Sequence, residues 1–225
     1  MAVVASGTLQ AQESGFLPSY EGLIFAAGEY GDKTQQATDA LRKMAGITKI
    51  MIDQPEIFIA AESPYKGMKP SESMALSESL RSALIANMGE TEVVEETGVD
   101  VVLLRVAISD IHLKKKKRSF LTYTPAGFLV HTATNAMTTS IMKKLDLTSI
   151  TIEMETTNAA TGDPLGLLVM KLAPPGEKGS DEANWQNMMS RFDALSKQLA
   201  CRFHNSKVPE DDRESCKILD SYQED

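Results

Sequence analysis

Asp100-Val101-Val102-Leu103-Leu104-Arg105-Val106-Ala107-Ile108-Ser109-Asp110-Ile111 is the stretch that leaves this chain least freedom. Val102, Leu104, Val106 and Ile108 alternate with Val101, Leu103, Arg105 and Ala107, so both faces of an extended strand are mostly apolar. Such a strand belongs in the middle of a sheet that is covered on both sides, because otherwise a row of apolar side chains would face water. Arg105 is the exception. A half-buried guanidinium is tolerated when paired, so an ion pair with Glu153 or Glu155 is expected.

The flanking sequence supplies the rest of a sheet. Ile47 to Asp53 opens an apolar, β-branched run that continues to Ile59, and Thr91 to Glu96 reads as a short strand at the solvent margin. Between them, Ser71 to Met88 has helical periodicity, with Leu76, Leu80, Ala83, Leu84 and Met88 on one side and Gly89 as a left-handed stop. Leu147 to Leu172 reads as a β-hairpin turning at Thr161-Gly162-Asp163-Pro164. In it Ile150, Ile152 and Met154 alternate with Thr151, Glu153 and Glu155, which predicts one buried and one solvated face.

Two further helices are expected. Asp32 and Gln35 have the spacing of a capping box ahead of Ala37, Leu41 and Met44, with Gly46 as the stop. Near the end, Trp185, Met188, Phe192, Leu195 and Leu199 recur at intervals of three and four, too briefly for a coiled coil and therefore as core packing. These elements predict a single α/β (α+β) domain over residues 14–203, a mixed sheet of about four to five strands with helices packed on it, the last helix amphipathic. Residues 1–13 read as a signal-peptide remnant or disordered terminus, and residues 204–225 as a flexible acidic tail.

Charge narrows the function. The 225 residues carry 31 carboxylates against 23 Lys and Arg, a formal net charge of -8, which argues against nucleic acid because phosphate binding needs a basic face. The local exception is Lys114-Lys115-Lys116-Lys117-Arg118, read as a solvated loop because five successive cations repel one another. Ser119 to Met142 then contains no charged residue and includes Phe120, Tyr123, Phe128 and Leu129. Its Thr residues and Pro125-Ala126-Gly127 make it too polar and too broken for a membrane span, which needs roughly 20 apolar residues. The basic run with Phe120, Tyr123, Phe128 and Leu129 is therefore the expected interaction surface, for a protein partner or an anionic membrane.

Other chemistry lacks its signatures. His112, His131 and His204 lie far apart with no ligand-type partner at i+2 to i+4, and no nucleophile elbow, phosphate loop, dinucleotide fingerprint or Cys-x-x-Cys occurs. No catalytic, metal-binding or cofactor-binding residue is assigned, and no cofactor is expected. In the loop from Ala61 to Pro70, Tyr65, Lys66 and Lys69 beside a helix N-terminus are candidates to meet an anion, against a plain loop. Cys201 and Cys216 suit one disulfide in an exported chain, contributing roughly 3 kcal/mol for a loop of that size.

Ser14-Gly15-Phe16-Leu17-Pro18-Ser19-Tyr20 reads by physics as an extended lead-in whose Phe16, Leu17 and Tyr20 tether it to the domain. With Lys49 to Ile57, Leu103 to Asp110, the Thr161-Gly162-Asp163 turn and the closing helix bearing Trp185 and Phe192, it resembles the bacterial domain-of-unknown-function family 3313 of envelope lipoproteins. The resemblance spans most of Ser14 to Phe203 and implies a secreted or outer-membrane-anchored α/β domain without assigned activity. Members usually carry a lipidated Cys ahead of the Ser-Gly-Phe-Leu segment, and here no Cys precedes Cys201, so a form in the periplasm or at the outer-membrane periphery is expected without that anchor. The expected role is non-enzymatic binding of an envelope partner or membrane surface. Small-molecule or lipid binding is the alternative, and an uncharacterised enzyme the third reading.

Overall fold

The computed structural model describes residues 13–25, 33–36, 43–44, 46–60, 63, 68–114, 146–172 and 181–216. Its elements in chain order are β1 (Ile24–Phe25), β2 (Lys33–Gln36), β3 (Lys49–Ile52), β4 (Glu56–Ile59), α1 (Pro70–Asn87), β5 (Glu92–Val94), β6 (Val101–Lys114), β7 (Asp146–Asn158), β8 (Pro164–Leu172) and α2 (Asp181–Asn205), followed by a 3-10 turn, Glu210–Asp212. The eight strands form one mixed sheet in the order β1-β2-β8-β7-β6-β3-β5, with β4 also on β6. This is the expected α+β domain with more strands than the four to five anticipated.

The long β6 is the axis. On one side it pairs antiparallel with β7 from Val102 opposite Asn158 to Lys114 opposite Asp146. On the other it takes β3 and then β4, both parallel: Lys49 to Ile52 lie opposite Val101 to Leu104, and Glu56 to Ile59 opposite Ala107 to Ile111. The apolar run from Ile47 to Ile59 thus splits into two strands lying end to end. The break falls at Gln54-Pro55, where proline has no amide hydrogen to give a ladder. Ser77 of α1 seals it, its hydroxyl donating to the Pro55 carbonyl at 2.6 Å while Gln54 Nε2 lies 2.6 Å from Ser77 Oγ.

One face of the sheet holds the main core. Leu76, Leu80 and Leu84 of α1 and Met188, Phe192, Leu195 and Phe203 of α2 pack on Ile50, Ile52, Leu104, Val106, Ile108, Ile150, Ile152, Met154 and Met170. Both helices therefore cover the same side. α1 is also started as its sequence suggests, with Pro70 in its first turn and the Glu72 carboxylate accepting from the Lys69 amide at 2.8 Å. It stops at Met88, and Gly89 follows with φ 61°.

Three expectations change. The helix expected from Asp32 gives way over Lys33–Gln36 to a strand laid antiparallel along β8, Lys33 opposite Val169 and Gln36 opposite Gly166, whereas Lys43 and Met44, at its expected far end before Gly46, are helical. An open sheet edge offers a hydrogen-bond ladder that outweighs a local capping signal. Ala37 and Leu41 lie outside the described residues. The face of β7 bearing Thr151, Glu153 and Glu155 is not solvated: all three are buried, because the lead-in lies over it. Finally, the segment after His204 is fastened rather than loose as far as residue 216. Helix α2 runs to Asn205, Asn205 exchanges hydrogen bonds with the Glu214 backbone at 2.7 and 2.9 Å, and Cys201 and Cys216 are joined by a disulfide.

Candidate functional site

The second face of the sheet is built from three strands in register. Arg105, Ala107 and Ser109 of β6 lie opposite Glu155, Glu153 and Thr151 of β7, which lie opposite Leu167, Val169 and Lys171 of β8. Side chains two apart on a strand share a face, so this register gathers two carboxylates, two hydroxyls and a guanidinium in one strip. The lead-in covers it. Phe16 and Leu17 are buried in a cluster with Ala107 and Val169, against which Tyr20, Leu23, Phe58 and Leu167 pack.

Polar groups under the lead-in find specific partners. Glu153, 1% exposed, accepts from the Tyr20 hydroxyl at 2.5 Å and from the Ser109 hydroxyl. A buried carboxylate needs such donors, since desolvation otherwise costs more than the fold can offset. Burial, and then the bond to Glu153, pushes the Tyr20 hydroxyl above the usual tyrosine value. Arg105 reaches Glu155 at 2.8 Å and Glu56 at 3.2 Å, and its guanidinium lies 4.9 Å from the centre of the Phe16 ring, within cation–π range. The expected Arg105 ion pair is therefore with Glu155, while Glu153 is held by hydroxyls. Among the described residues, Thr151 Oγ1 is buried without a hydrogen-bond partner.

A second feature lies at the far end of β6 and β7. The β6 pairing with β4 ends at Ile111 and the β7 pairing with β8 ends at Ile150, yet β6 and β7 stay paired through His112–Ser149, Leu113–Leu147 and Lys114–Asp146. Among the described residues, β6 and β7 thus continue as a two-stranded ribbon past their pairings with β4 and β8. Register shifts flank His112, and Asp110 has φ 47°, the left-handed conformation found at bulges that bend a strand.

The residues singled out from sequence fall as follows. Lys114, expected in a solvated loop, is instead the last residue of β6, directly opposite Asp146, because the ladder with β7 continues past Ile111. Lys115, Lys116, Lys117, Arg118, Phe120, Tyr123, Phe128 and Leu129 lie outside the described residues, as do Tyr65 and Lys66. At the anion position considered near Lys69, the Lys69 amide already donates to Glu72. Cys201 and Cys216 form a bridge with Cα atoms 5.5 Å apart, and the Gln198 amide donates to the Cys216 carbonyl at 3.3 Å. Sequence reasoning passed over Glu153 and Ser109 as site residues. The available signal was a hydroxyl-bearing aromatic in the lead-in and two carboxylates on one face of a strand next to a central one.

Among the described residues, no cluster of His, Cys, Asp and Glu has metal-holding geometry, and no helix is long and apolar enough to cross a membrane. A family model described as Protein of unknown function (DUF3313) matches residues 12–199. No curated protein matches. Among solved structures the chain is similar to a PelC dodecamer from Paraburkholderia phytofirmans, at 8% identity and a TM-score of 0.39, covering 74% of this chain and 93% of that one. It is also similar to protein XCC0632 from Xanthomonas campestris, of the DUF330 family, at 8% identity and a TM-score of 0.36, covering 68% and 82%.

Proposed function

The chain belongs to the DUF3313 family of proteins of unknown function, and because that description assigns no activity we propose from the geometry that the domain works by binding and not by catalysis. It is an exported envelope domain whose β6–β7 ribbon presents residues 115–145 to an anionic membrane surface or an envelope protein. The observation that carries this reading is the pairing of Lys114 with Asp146. The segment holding the basic run and Phe120, Tyr123, Phe128 and Leu129 leaves and re-enters the fold at adjacent points of one ladder, beyond the neighbouring strands. The Cys201–Cys216 bridge supports export, since disulfides persist in oxidising compartments.

Cations next to apolar side chains suit an anionic interface, each Lys contributing about 1 kcal/mol near a charged lipid surface, in a salt-dependent way. The test replaces residues 115–145 with Asn-Gly, which joins paired strand ends as a two-residue turn. The variant is expected to keep a cooperative melt while losing retention on phosphatidylglycerol vesicles and on native envelope fractions. A folded variant with unchanged retention on both overturns the reading.

A further inference from the structure

We propose that Asp110 and Thr148 form the joint that aims the β6–β7 ribbon, each standing in its strand as one extra residue that bends the ladder without changing its pairing. This rests on the ribbon reading and supplies its direction.

Residue counts locate the joint. Ser109 lies opposite Thr151 and His112 opposite Ser149, so Asp110 and Ile111 on β6 meet Ile150 alone on β7. β4 meets the same surplus, since Ile57 and Ile59 lie opposite Ile108 and Ile111 with only Phe58 between them. Ile108, Ile111 and Ile150 are all 0% exposed whereas Asp110 is partly exposed, which marks Asp110 as the residue outside the core alternation. Its φ of 47° is the only positive value outside glycine among the described residues. On the facing strand, His112 opposite Ser149 is followed by Leu113 opposite Leu147, so Thr148 is the surplus on β7.

The two surpluses cancel. A lone bulge changes the partner of every later residue, but here Leu113–Leu147 and Lys114–Asp146 resume the register that Ser109–Thr151 ends. What survives is the bend, because a bulged strand kinks and twists more strongly. The bend also has a specific place. Pairing with β4 ends at Ile111 and with β8 at Ile150, so it falls where β6 and β7 outrun their neighbours. Left-handed backbone at Asp110 costs energy that an uninterrupted ladder would not, and strain of that kind is kept where it serves a site.

The experiment uses the full chain. Deleting Asp110 and Thr148 together should leave an uninterrupted ladder, Ile111 opposite Ile150 and His112 opposite Ser149, with residues 115–145 all kept. This double deletion is expected to melt cooperatively and to bind phosphatidylglycerol vesicles or native envelope fractions about tenfold more weakly than the unsubstituted chain, the equivalent of one or two lost Lys contacts. Asp110→Gly, which keeps the left-handed backbone without the carboxylate, should still bind; its failure would assign the effect to the carboxylate and overturn the joint. Undiminished binding once residues 115–145 are replaced by Asn-Gly ends the ribbon reading and the joint with it. Binding lost there but undiminished in a folded double deletion overturns the joint alone. Should the double deletion fail to fold, Asp110→Val, whose branched side chain resists positive φ, is set against Asp110→Gly, and equal binding by those two overturns the proposal.

Discussion

Arg105 of β6 lies directly opposite Glu155 of β7 and meets it at 2.8 Å, whereas one step along the same face the Glu153 carboxylate, opposite Ala107, accepts from the Tyr20 and Ser109 hydroxyls. The difference follows from coverage. Arg105 sits at the margin of the lead-in, its side chain 37% exposed, where water lowers the cost of holding a charge; Glu153 sits beneath Tyr20, where it does not.

That arrangement sets an order of costs. Arg105→Met leaves Glu155, whose side chain is 11% exposed, without its cation, and is expected to lower stability by about 1–2 kcal/mol. Glu56→Ala removes the outer partner, half exposed, and should cost less than about 1 kcal/mol. Urea unfolding with an unchanged m-value measures both, and a larger loss for Glu56→Ala would reverse the assignment.

The disulfide closes a sequence separation of 15 residues. Replacing both Cys201 and Cys216 by Ser is expected to cost about 3 kcal/mol, seen as a melting temperature lower by roughly 10 °C. Intact mass with thiol alkylation gives the independent check: protein made with export into an oxidising compartment should take up no alkylating agent until reduced. Two alkylated cysteines in that protein before reduction would contradict the bridge.

Much of this fold was written locally, and what was not depended on neighbours. The alternation in Val101 to Ile111 and the four-residue spacing of Leu76, Leu80 and Leu84 each report on one element, so β6 and α1 are legible from a short window. Lys33–Gln36 is a strand because β8 leaves an edge open, a fact located more than a hundred residues away. The polar side of β7 shows the same limit: alternation says which side chains share a face, and cannot say that Phe16, Leu17 and Tyr20 will cover it. The candidate site was half legible for that reason. Two strong strands were legible as far as Ile111 and from Leu147, but their extension to Lys114 and Asp146 was not, because a run of cations reads locally as a loop; the Tyr20–Glu153–Ser109 cluster needs three distant segments at once.

Helices α1 and α2 are tied by Asn87, which donates to the Ala83 carbonyl at 2.8 Å and to Asp193 at 2.9 Å. Lys197 and then Asn87 hold the Asp193 carboxyl below the usual aspartate value. A lowered folded-state value means the contribution is complete above the unfolded value, about 3.9, and is lost as pH falls through the folded one. Subtracting the stability of Asp193→Asn from that of the unsubstituted chain should therefore give a flat difference from pH 7 to about pH 5 and a decline below it. The effect should be small, because Asp193 is about half exposed and screened by solvent. A difference that grows on acidification would show that the carboxylate destabilises the helix pair.

Tyr20 gives the opposite sign at the other end of the scale. Its hydroxyl is raised by burial and by donation to Glu153, so its neutral form is favoured in the folded state. The corresponding stability is complete below the unfolded value near 10 and is lost as pH rises through the folded value. Ionised Tyr20 would also face the Glu153 carboxylate with like charge, so the lead-in is expected to detach at alkaline pH while α1, α2 and the sheet remain. Absorbance titration should show a late-ionising tyrosine that Tyr20→Phe removes. Limited proteolysis should cut residues 14–20 faster at pH 11 than at pH 8 in the unsubstituted chain, with a smaller ratio in Tyr20→Phe. Equal ratios would mean that the hydroxyl does not fasten the lead-in, leaving Phe16 and Leu17 to do so through burial alone.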